Sequence, residues 1–320
     1  CCKTSGGMAA LDSSSGEIIW NHRVLKEAKF TKKGLITRVK KFAPSGAAVW
    51  NAPGVDIEDG RVFFGTGQST QSPASEFSDA IISLSLKTGK KLWATQTLSG
   101  DAHNVGCEIP VIRSMTCPEE DGPDFDFGAG TMLVTSNTDR QLVVAGQKSG
   151  DVHAVDPDTG ELIWKTRVGR GGIQGGVHFG MAAANGKIYV PISDGPDGRK
   201  YEMPARPGLH ALDAETGEIL WYSAAPTDIC QGRNFCDPGV GQAISVISGQ
   251  IFAGGMDGVM RAHDPESGEV LYRIDTTRSF ETITGEKTHG GSFGGASGAT
   301  AKNGLLVFSS GYGLYNHMPG

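Results

Sequence analysis

Five segments of the chain repeat one pattern of hydrophobic and polar positions. In each, a short apolar run leads into a polar turn that ends in glycine, and a second apolar run carries an aromatic residue. The segments span residues 8–20, 81–93, 152–164, 209–221 and 260–272. Their glycines are 73, 71, 57 and 51 residues apart. Each segment is therefore predicted to form two strands joined by a four-residue turn.

The polar residues of the repeat explain the turn. An aspartate four residues before the glycine can accept hydrogen bonds from the turn backbone, and the glycine can take a positive φ. The second segment has Ser85 at this place, a weaker version of the same cap. Four residues after each glycine stands an aromatic ring, which can bury a large area between neighbouring repeats. The residues concerned are Asp12, Asp156, Asp213 and Asp264, followed by Trp20, Trp93, Trp164, Trp221 and Tyr272.

The stretches between the repeats supply further strands. Strand candidates with turn signals lie at residues 60–65, 131–136, 141–145, 186–191, 250–253 and 304–309. About four short strands per repeat of about 50–70 residues is typical of a β-propeller blade. Glycine makes up 47 of 320 residues, roughly twice the usual share of about 7%, which adds many tight turns. The prediction is an all-β propeller with little helix.

Charge and hydropathy narrow the function classes. The chain carries 29 basic and 35 acidic residues and a formal net charge of −6, which argues against a nucleic-acid partner. It has no run of 18 apolar residues, so no membrane span is expected. The sequence begins directly on Cys1 and Cys2, without the charged-then-apolar pattern expected of a leader peptide.

The six cysteines fall into three local pairs. We expect disulfides at Cys107–Cys117 and Cys230–Cys236, whose short loops close at modest entropic cost. Adjacent cysteines at positions 1 and 2 can close a ring only with a distorted peptide, so their pairing needs a functional reason. The spacings match neither zinc sites nor haem attachment. Disulfides indicate a secreted or periplasmic protein; six reduced thiols are the alternative.

Trp50 is singled out by composition alone. Four of the five tryptophans occupy the repeat position, and Trp50 does not. Its neighbours in 46–49 are small, which leaves room for a flat, electron-poor ring system to stack on the indole. An ordinary core tryptophan is the alternative interpretation.

The five-copy repeat and the segments between its copies resemble those of a known protein family. The repeat is similar to that of the quinoprotein propellers that bind pyrroloquinoline quinone, and the order of segments resembles the polyvinyl-alcohol-dehydrogenase-like members. The matching stretches are 1–2, 44–50, 65–68, 100–107, 122–127, 146–150 and 310–313. The family propeller usually has eight blades, and this chain supplies five or six. Residues 1–320 are therefore expected to form a single domain, part of a longer propeller without its N-terminal blades and final strand.

The resemblance implies roles for five residues around the quinone. Trp50 forms the floor, and a Cys1–Cys2 disulfide forms the roof. Lys148 contacts the quinone oxygens as a cation, although a lysine at a loop tip is ordinarily a solvated charge. Gln68 falls where the family has an asparagine ligand to calcium. The family's glutamate ligand has no clear counterpart here, which puts the metal in doubt.

The resemblance also implies a general base after the second repeat. Asp101 is the candidate, while spacing could instead place Asn104 there, and asparagine cannot accept a proton. His103 is an alternative base of suitable solution pKa. All candidate residues are predicted to converge at one end of the propeller channel.

Two functions compete. One is quinone-dependent oxidation of a small-molecule or polymeric alcohol, with electrons passed to an external acceptor such as a cytochrome c. The other is a non-catalytic propeller scaffold that mediates protein–protein contacts through the same repeats. Trp50, the adjacent cysteines and Lys148 favour the enzyme, because a scaffold does not need them. The basic stretch 26–41 and the acidic stretch 119–126 are expected to be solvated loops. Contact with an acidic electron acceptor is the alternative for the first, and a peripheral calcium site is the alternative for the second.

Overall fold

Short strands and tight turns build nearly all of the structure, a computed structural model that describes residues 3–34, 38–311 and 317–320. It divides into two units. Unit 1 contains Cys1–Leu133, Val143–Ala145 and Val155–Ile163, and unit 2 contains Val134–Leu142, Gly146–Ala154 and Trp164–Gly320.

The first third of the chain contributes eight strands. They are β1 (Gly7–Leu11), β2 (Ile18–Arg23), β3 (Lys29–Lys33), β4 (Lys40–Ala43), β5 (Gly54–Asp56), β6 (Arg61–Gly65), β7 (Ala80–Ser85) and β8 (Lys91–Gln96). The first four form two hairpins, β1–β2 and β3–β4, and the rest form a sheet in the order β5-β6-β7-β8. A 3-10 turn at Val105–Cys107 and helix α1 (Pro110–Thr116) follow. The basic stretch predicted as a loop is thus largely a hairpin, with β3 exposed throughout.

Three more four-stranded sheets follow in chain order. The strands are β9 (Met132–Thr135), β10 (Gln141–Gly146), β11 (Asp151–Val155), β12 (Leu162–Arg167), β13 (Ala182–Ala184), β14 (Lys187–Ile192), β15 (Gly208–Asp213), β16 (Ile219–Ala224), β17 (Ser245–Ile247), β18 (Gln250–Gly254), β19 (Val259–His263) and β20 (Val270–Asp275). Each sheet keeps its strands in sequence order. Two small hairpins end the series, β21 (Phe280–Glu281) with β22 (Lys287–Thr288), and β23 (Thr300–Lys302) with β24 (Leu305–Val307). The all-β prediction is confirmed for the described residues.

The turn chemistry of the repeat is confirmed. The Oδ1 atom of Asp12 accepts hydrogen bonds from the backbone amides of Ser14 and Ser15, at 3.0 and 2.9 Å. The hydroxyl and amide hydrogen bonds from these two serines lower the pKa of Asp12 to about 2. Ser85 accepts a longer bond of 3.3 Å from the amide of Thr88, as expected for the weaker cap.

Each repeat tryptophan packs on the turn of the following repeat. The indole Nε1 of Trp20 donates to Leu86 O, that of Trp93 to Pro157 O, that of Trp164 to Ala214 O and that of Trp221 to Pro265 O, at 2.8–3.1 Å. The turn glycine lies directly against the ring in every case. Each repeat is therefore held against the next by a packed ring and a hydrogen bond. The indole N–H thus keeps a partner when the ring is buried.

The cysteine pairing is confirmed for the two described pairs. Cys107 and Cys117 are joined with an S–S distance of 2.02 Å, and Cys230 and Cys236 with 2.10 Å. Cys1 and Cys2 lie outside the described residues. Within the described part of the chain, no helix has the length and apolar character needed to cross a membrane.

His210 of β15 gives unit 2 a pH-sensitive interior. Its ring is fully buried and stacks on Tyr222 at 4.4 Å, and neither ring nitrogen has a hydrogen-bond partner among the described residues. Burial, aided by the charge of Arg206, lowers its pKa to about 3. The folded protein therefore holds His210 neutral, whereas the unfolded chain binds a proton near pH 6.5.

Stability from His210 should be fully present above about pH 6.5 and should be lost as the pH falls toward 3. We expect the wild type to lose about 2 kcal/mol more unfolding free energy than His210→Phe between pH 7 and pH 5. Urea denaturation at both pH values measures this difference. Parallel pH profiles for the two proteins would contradict the interpretation.

Candidate active site

Four separate segments of unit 1 meet through their backbones. Isolated β-bridges join Ser5 to Gly46, Gly46 to Ser69, and Ser69 to Ala102. The predicted site residues flank these positions, since Gln68 precedes Ser69 and Asp101 precedes Ala102. Trp50 follows Gly46 by four residues. Four segments distant in sequence are thus held side by side in unit 1.

A cleft of about 330 Å³ opens where these segments meet. Its lining is mostly backbone and small side chains, namely residues 4–7, 46, 48, 49, 68 and 70. Gly46 has φ +110°, and a Cβ atom there would lie 2.5 Å from the carbonyl oxygen of Gln68. Only glycine permits this close approach. The cleft has a size typical of small-molecule sites.

Gln68 is fixed through its backbone and lines the cleft. Its amide donates to Asp126 Oδ1 at 2.8 Å, and its carbonyl accepts from the amide of Ala47 at 2.8 Å. Asp126 is only 6% exposed, so the expectation that 119–126 is a solvated loop is wrong for its second half. The reason is that Asp126 satisfies a backbone donor of the cleft wall.

Trp50 retains 40% of its surface exposed, unlike the core tryptophan that was the alternative. The next residue anchors the segment. The Asn51 side-chain amide donates to Gly65 O at 2.9 Å and to Phe127 O at 2.6 Å. The indole therefore stands on a fixed backbone beside Val49, which lines the cleft.

Asp101 is fully buried and holds a neighbouring loop. Its Oδ2 accepts from the amide of Phe125 at 2.8 Å, and its Oδ1 accepts from that of Asp124 at 3.2 Å. Its backbone carbonyl accepts from Ser69 N at 3.0 Å. Asp101 thus holds the backbone of residues 69, 124 and 125 in place. Its role as general base stays a prediction.

The two alternatives to Asp101 have defined surroundings. His103 is buried, with Nε2 at 3.2 Å from Glu108 Oε1. Asn104 uses its amide structurally, because Oδ1 caps the 3-10 turn at Gly106 N (2.9 Å) and Nδ2 donates to Thr70 O and Thr116 O. The side-chain amide of Asn104 thus ties the 3-10 turn to the backbone of residues 70 and 116.

One group of potential metal ligands lies nearby. His103, Cys107 and Asp121 have ligand atoms within 4.8 Å of one another. The sulfur of Cys107 is bonded to that of Cys117, so it cannot act as a thiolate ligand. The group therefore does not form a thiolate site.

Lys148 belongs to unit 2 and lies on the turn between β10 and β11. Its surface is 4% exposed, so the interpretation as a solvated loop lysine is wrong. The reason is a glycine-rich loop, 169–176, that packs over this turn and donates Gly172 N to Lys148 O at 3.1 Å. Burial, followed by the charge of Lys148, lowers the pKa of His178 to about 3. The neighbouring imidazole therefore stays neutral and adds no second positive charge.

Asp194 is a buried carboxylate beside the loop over Lys148, and sequence analysis did not single it out. Its carboxylate is 4% exposed and accepts four backbone amides, those of Arg170 (2.7 Å), Gly171 (3.1 Å), Gly176 (3.0 Å) and Arg206 (2.9 Å). It thereby clamps the loop that covers Lys148. The sequence around it shows only an Asp-Gly turn signal. Since Lys148 lies in unit 2 and the other candidates in unit 1, convergence of the whole set stays a prediction.

Two family models match parts of the chain. Residues 2–120 match the β-propeller domain of glucose/ethanol/alcohol dehydrogenases, and residues 148–290 match outer membrane protein assembly factor BamB. Polyvinylalcohol dehydrogenase from Pseudomonas sp. is 39% identical over 98% of the chain and 48% of that protein. The enzyme of the same name from Sphingopyxis sp. (strain 113P3) is 36% identical over 98% and 48%. The chain thus spans about half the length of these relatives.

Solved structures establish the fold. Quinohemoprotein alcohol dehydrogenase from Comamonas testosteroni superimposes with a TM-score of 0.61 at 16% identity, covering 94% of this chain and 52% of that one. This likeness confirms the predicted propeller fold. The chain has the β-propeller fold of the quinoprotein alcohol dehydrogenases and is a homologue of the polyvinylalcohol dehydrogenases.

Proposed function

We propose that this chain is part of a pyrroloquinoline-quinone-dependent enzyme that oxidises an alcohol, small or polymeric, and passes electrons to an external acceptor such as a cytochrome c. The observation that carries the proposal is the cleft of unit 1, bordered by the Trp50 and Gln68 segments. Similarity to polyvinylalcohol dehydrogenases along the chain supports the polymeric alcohol.

The residues of unit 1 suit a flat, oxygen-rich cofactor. The Trp50 ring is 40% exposed, and the small residues just before it, Ala48 and Val49, line the cleft. The quinone, when bound, supplies the oxidising chemistry, while the protein supplies orientation and polarisation. We assign Trp50 and the Cys1–Cys2 pair to quinone stacking and Lys148 to a cationic contact.

Calcium is proposed as a weakly held companion of the quinone. The Gln68 amide oxygen is a hard ligand of the kind that calcium prefers, and its backbone is fixed at the cleft. Residues 4, 5 and 70 add hydroxyl groups to the same lining. For removal of the hydroxyl proton we assign Asp101, with His103 as the alternative.

Two further assignments belong to the same proposal. The two disulfides support a secreted or periplasmic location. The series of repeats supports a single propeller with additional blades, because Tyr272 is 60% exposed and no ring among the described residues lies against Gly16. Both positions suit further repeats.

The first test is titration of the purified protein with pyrroloquinoline quinone, with and without calcium, followed by absorption and tryptophan fluorescence. Alcohol-dependent reduction of an artificial electron acceptor then tests the reaction. We expect saturable quenching and turnover. Absence of both would favour the second candidate, a protein-interaction scaffold, which the match of residues 148–290 to BamB supports.

Trp50→Ala should weaken quinone binding about 5- to 150-fold, by loss of stacking worth roughly 1–3 kcal/mol. Trp50→Phe is the matched control, because it keeps an aromatic face and should retain most of the affinity. Fluorescence titration gives both dissociation constants. Equal affinities of Trp50→Ala and the wild type would remove Trp50 from the cofactor site.

A further inference from the structure

A second cleft, of about 640 Å³, lies in unit 2 and shares no residue with the cleft of unit 1. Its charged lining comes from three arginines and two aspartates, namely Arg233, Arg273, Arg278, Asp228 and Asp275. The residues of the proposed quinone site do not include any of these. The proposed quinone site therefore does not explain why three arginines line this cleft.

Local contacts hold two of the arginines at the cleft. Arg233 lies in the loop that the Cys230–Cys236 disulfide closes, and its Nη1 donates to Thr277 Oγ1 at 3.2 Å. Arg278 has its guanidinium carbon 4.9 Å from the centre of the Phe280 ring, a cation–π contact that restricts its orientation. Both groups are therefore partly organised before any ligand arrives.

The third arginine comes from an edge strand. Arg273 of β20 stands directly opposite Arg261 of β19, a like-charge pair that destabilises a ladder. Arg261 is buried and compensated, because its Nη1 donates to Asp257 Oδ1 at 3.0 Å. Arg273 is exposed and lines the cleft.

The two aspartates leave the cleft with one excess positive charge. Asp275 is also engaged elsewhere, since its Oδ1 accepts from Thr277 N at 2.9 Å and from Thr277 Oγ1 at 2.6 Å. Partial burial alone would raise the pKa of Asp275, but the Thr277 hydrogen bonds and the charges of Arg233 and Arg278 lower it. Asp275 therefore stays ionised beside the arginines and anchors the turn that carries Arg278.

Guanidinium groups match planar oxyanions because they can donate two parallel hydrogen bonds to one carboxylate or phosphate. Three of them around one open cavity, with partial compensation by two carboxylates, suit a ligand that carries more than one oxyanion charge. We propose that the arginine cleft of unit 2 binds a small polyvalent oxyanion through carboxylate or phosphate-type oxygens.

The test uses calorimetric titration of the purified protein with inorganic phosphate and with citrate, at an ionic strength held constant with chloride. We expect saturable binding that weakens about fivefold or more in Arg233→Gln and in Arg278→Gln, and that disappears in the double variant. Lys302→Gln, which removes one exposed positive charge of unit 2 outside the cleft, is the matched control and should bind as the wild type does.

The outcomes separate clearly. Arginine-dependent binding of both anions supports the proposal, and binding of only one supports it and identifies the ligand as phosphate-type or carboxylate. Unchanged thermal unfolding without anion shows that the variants are folded. Binding that survives in the double variant, or an effect that chloride reproduces, overturns the proposal. Neither result depends on the quinone or on turnover, so the dehydrogenase proposal is tested separately.

Discussion

Asp194→Asn should lower the unfolding free energy of unit 2 by about 2–5 kcal/mol. The carboxylate accepts Gly171 N and Gly176 N on Oδ1, and Arg170 N and Arg206 N on Oδ2. An asparagine amide has the same shape, but its NH₂ group faces two of these donors in either orientation. Each buried amide left without an acceptor costs about 1–3 kcal/mol.

A matched control isolates the hydrogen bonds from the backbone. Asp194 has φ +42° and Asp139 has φ +62°, and asparagine tolerates this left-handed region as well as aspartate does. Asp139 lies in an exposed turn of unit 2, so Asp139→Asn should change stability by less than about 0.5 kcal/mol. Urea denaturation compares the two variants.

Loss of the hydrogen bonds to Asp194 should also disturb Lys148, the predicted contact to the cofactor. The loop that Asp194 holds packs over the turn that carries Lys148, through the bond from Gly172 N to Lys148 O. We therefore expect weaker quinone binding in Asp194→Asn at temperatures where the protein remains folded. If Asp194→Asn is as stable as the wild type, water must accept the hydrogen bonds that the asparagine side chain cannot. The carboxylate would then not be needed to hold the loop.

The fold was predictable because its rules are local. The Asp12 turn, its glycine and the ring four residues later lie within one short segment, and five copies make the pattern unmistakable. Even the docking of Trp20 on the turn near Leu86 follows from repetition, because identical units can bury the same aromatic position against one another. The repeat pattern thus predicted contacts between residues that are distant in sequence.

The site was less predictable because its contacts are long-range and unrepeated. Asp126 and Asp194 each occur in polar, turn-rich sequence that ordinarily indicates solvent exposure, yet both are buried. Both carboxylates can be buried because they accept hydrogen bonds from backbone amides of loops distant in sequence. Lys148 shows the same limitation, since a loop more than 20 residues later covers it. Residue type alone does not reveal such partners.

Gly217→Ala should cost about 3 kcal/mol of unfolding free energy, through two separate effects. Gly217 has φ +73°, which a residue with a Cβ adopts at a cost of roughly 1–2 kcal/mol. Its Cβ would also lie 2.6 Å from Cδ2 of Trp164, and overpacking of this kind typically costs about 1–3 kcal/mol. The ring cannot move away freely, because its Nε1 donates to Ala214 O at 3.0 Å.

Gly249→Ala separates the two effects within the same unit. Gly249 has φ +76°, but no described residue lies within 4 Å of its would-be Cβ, so this variant should lose only about 1–2 kcal/mol. Chemical denaturation gives both values, and their difference is the contribution of the contact between indole and turn. Equal losses would mean that the turn and the ring shift apart at little cost. A larger loss for Gly217→Ala, with altered Trp164 fluorescence, would show that the repeat is held by the fit of one ring against one backbone turn, the feature that makes the motif recognisable in sequence.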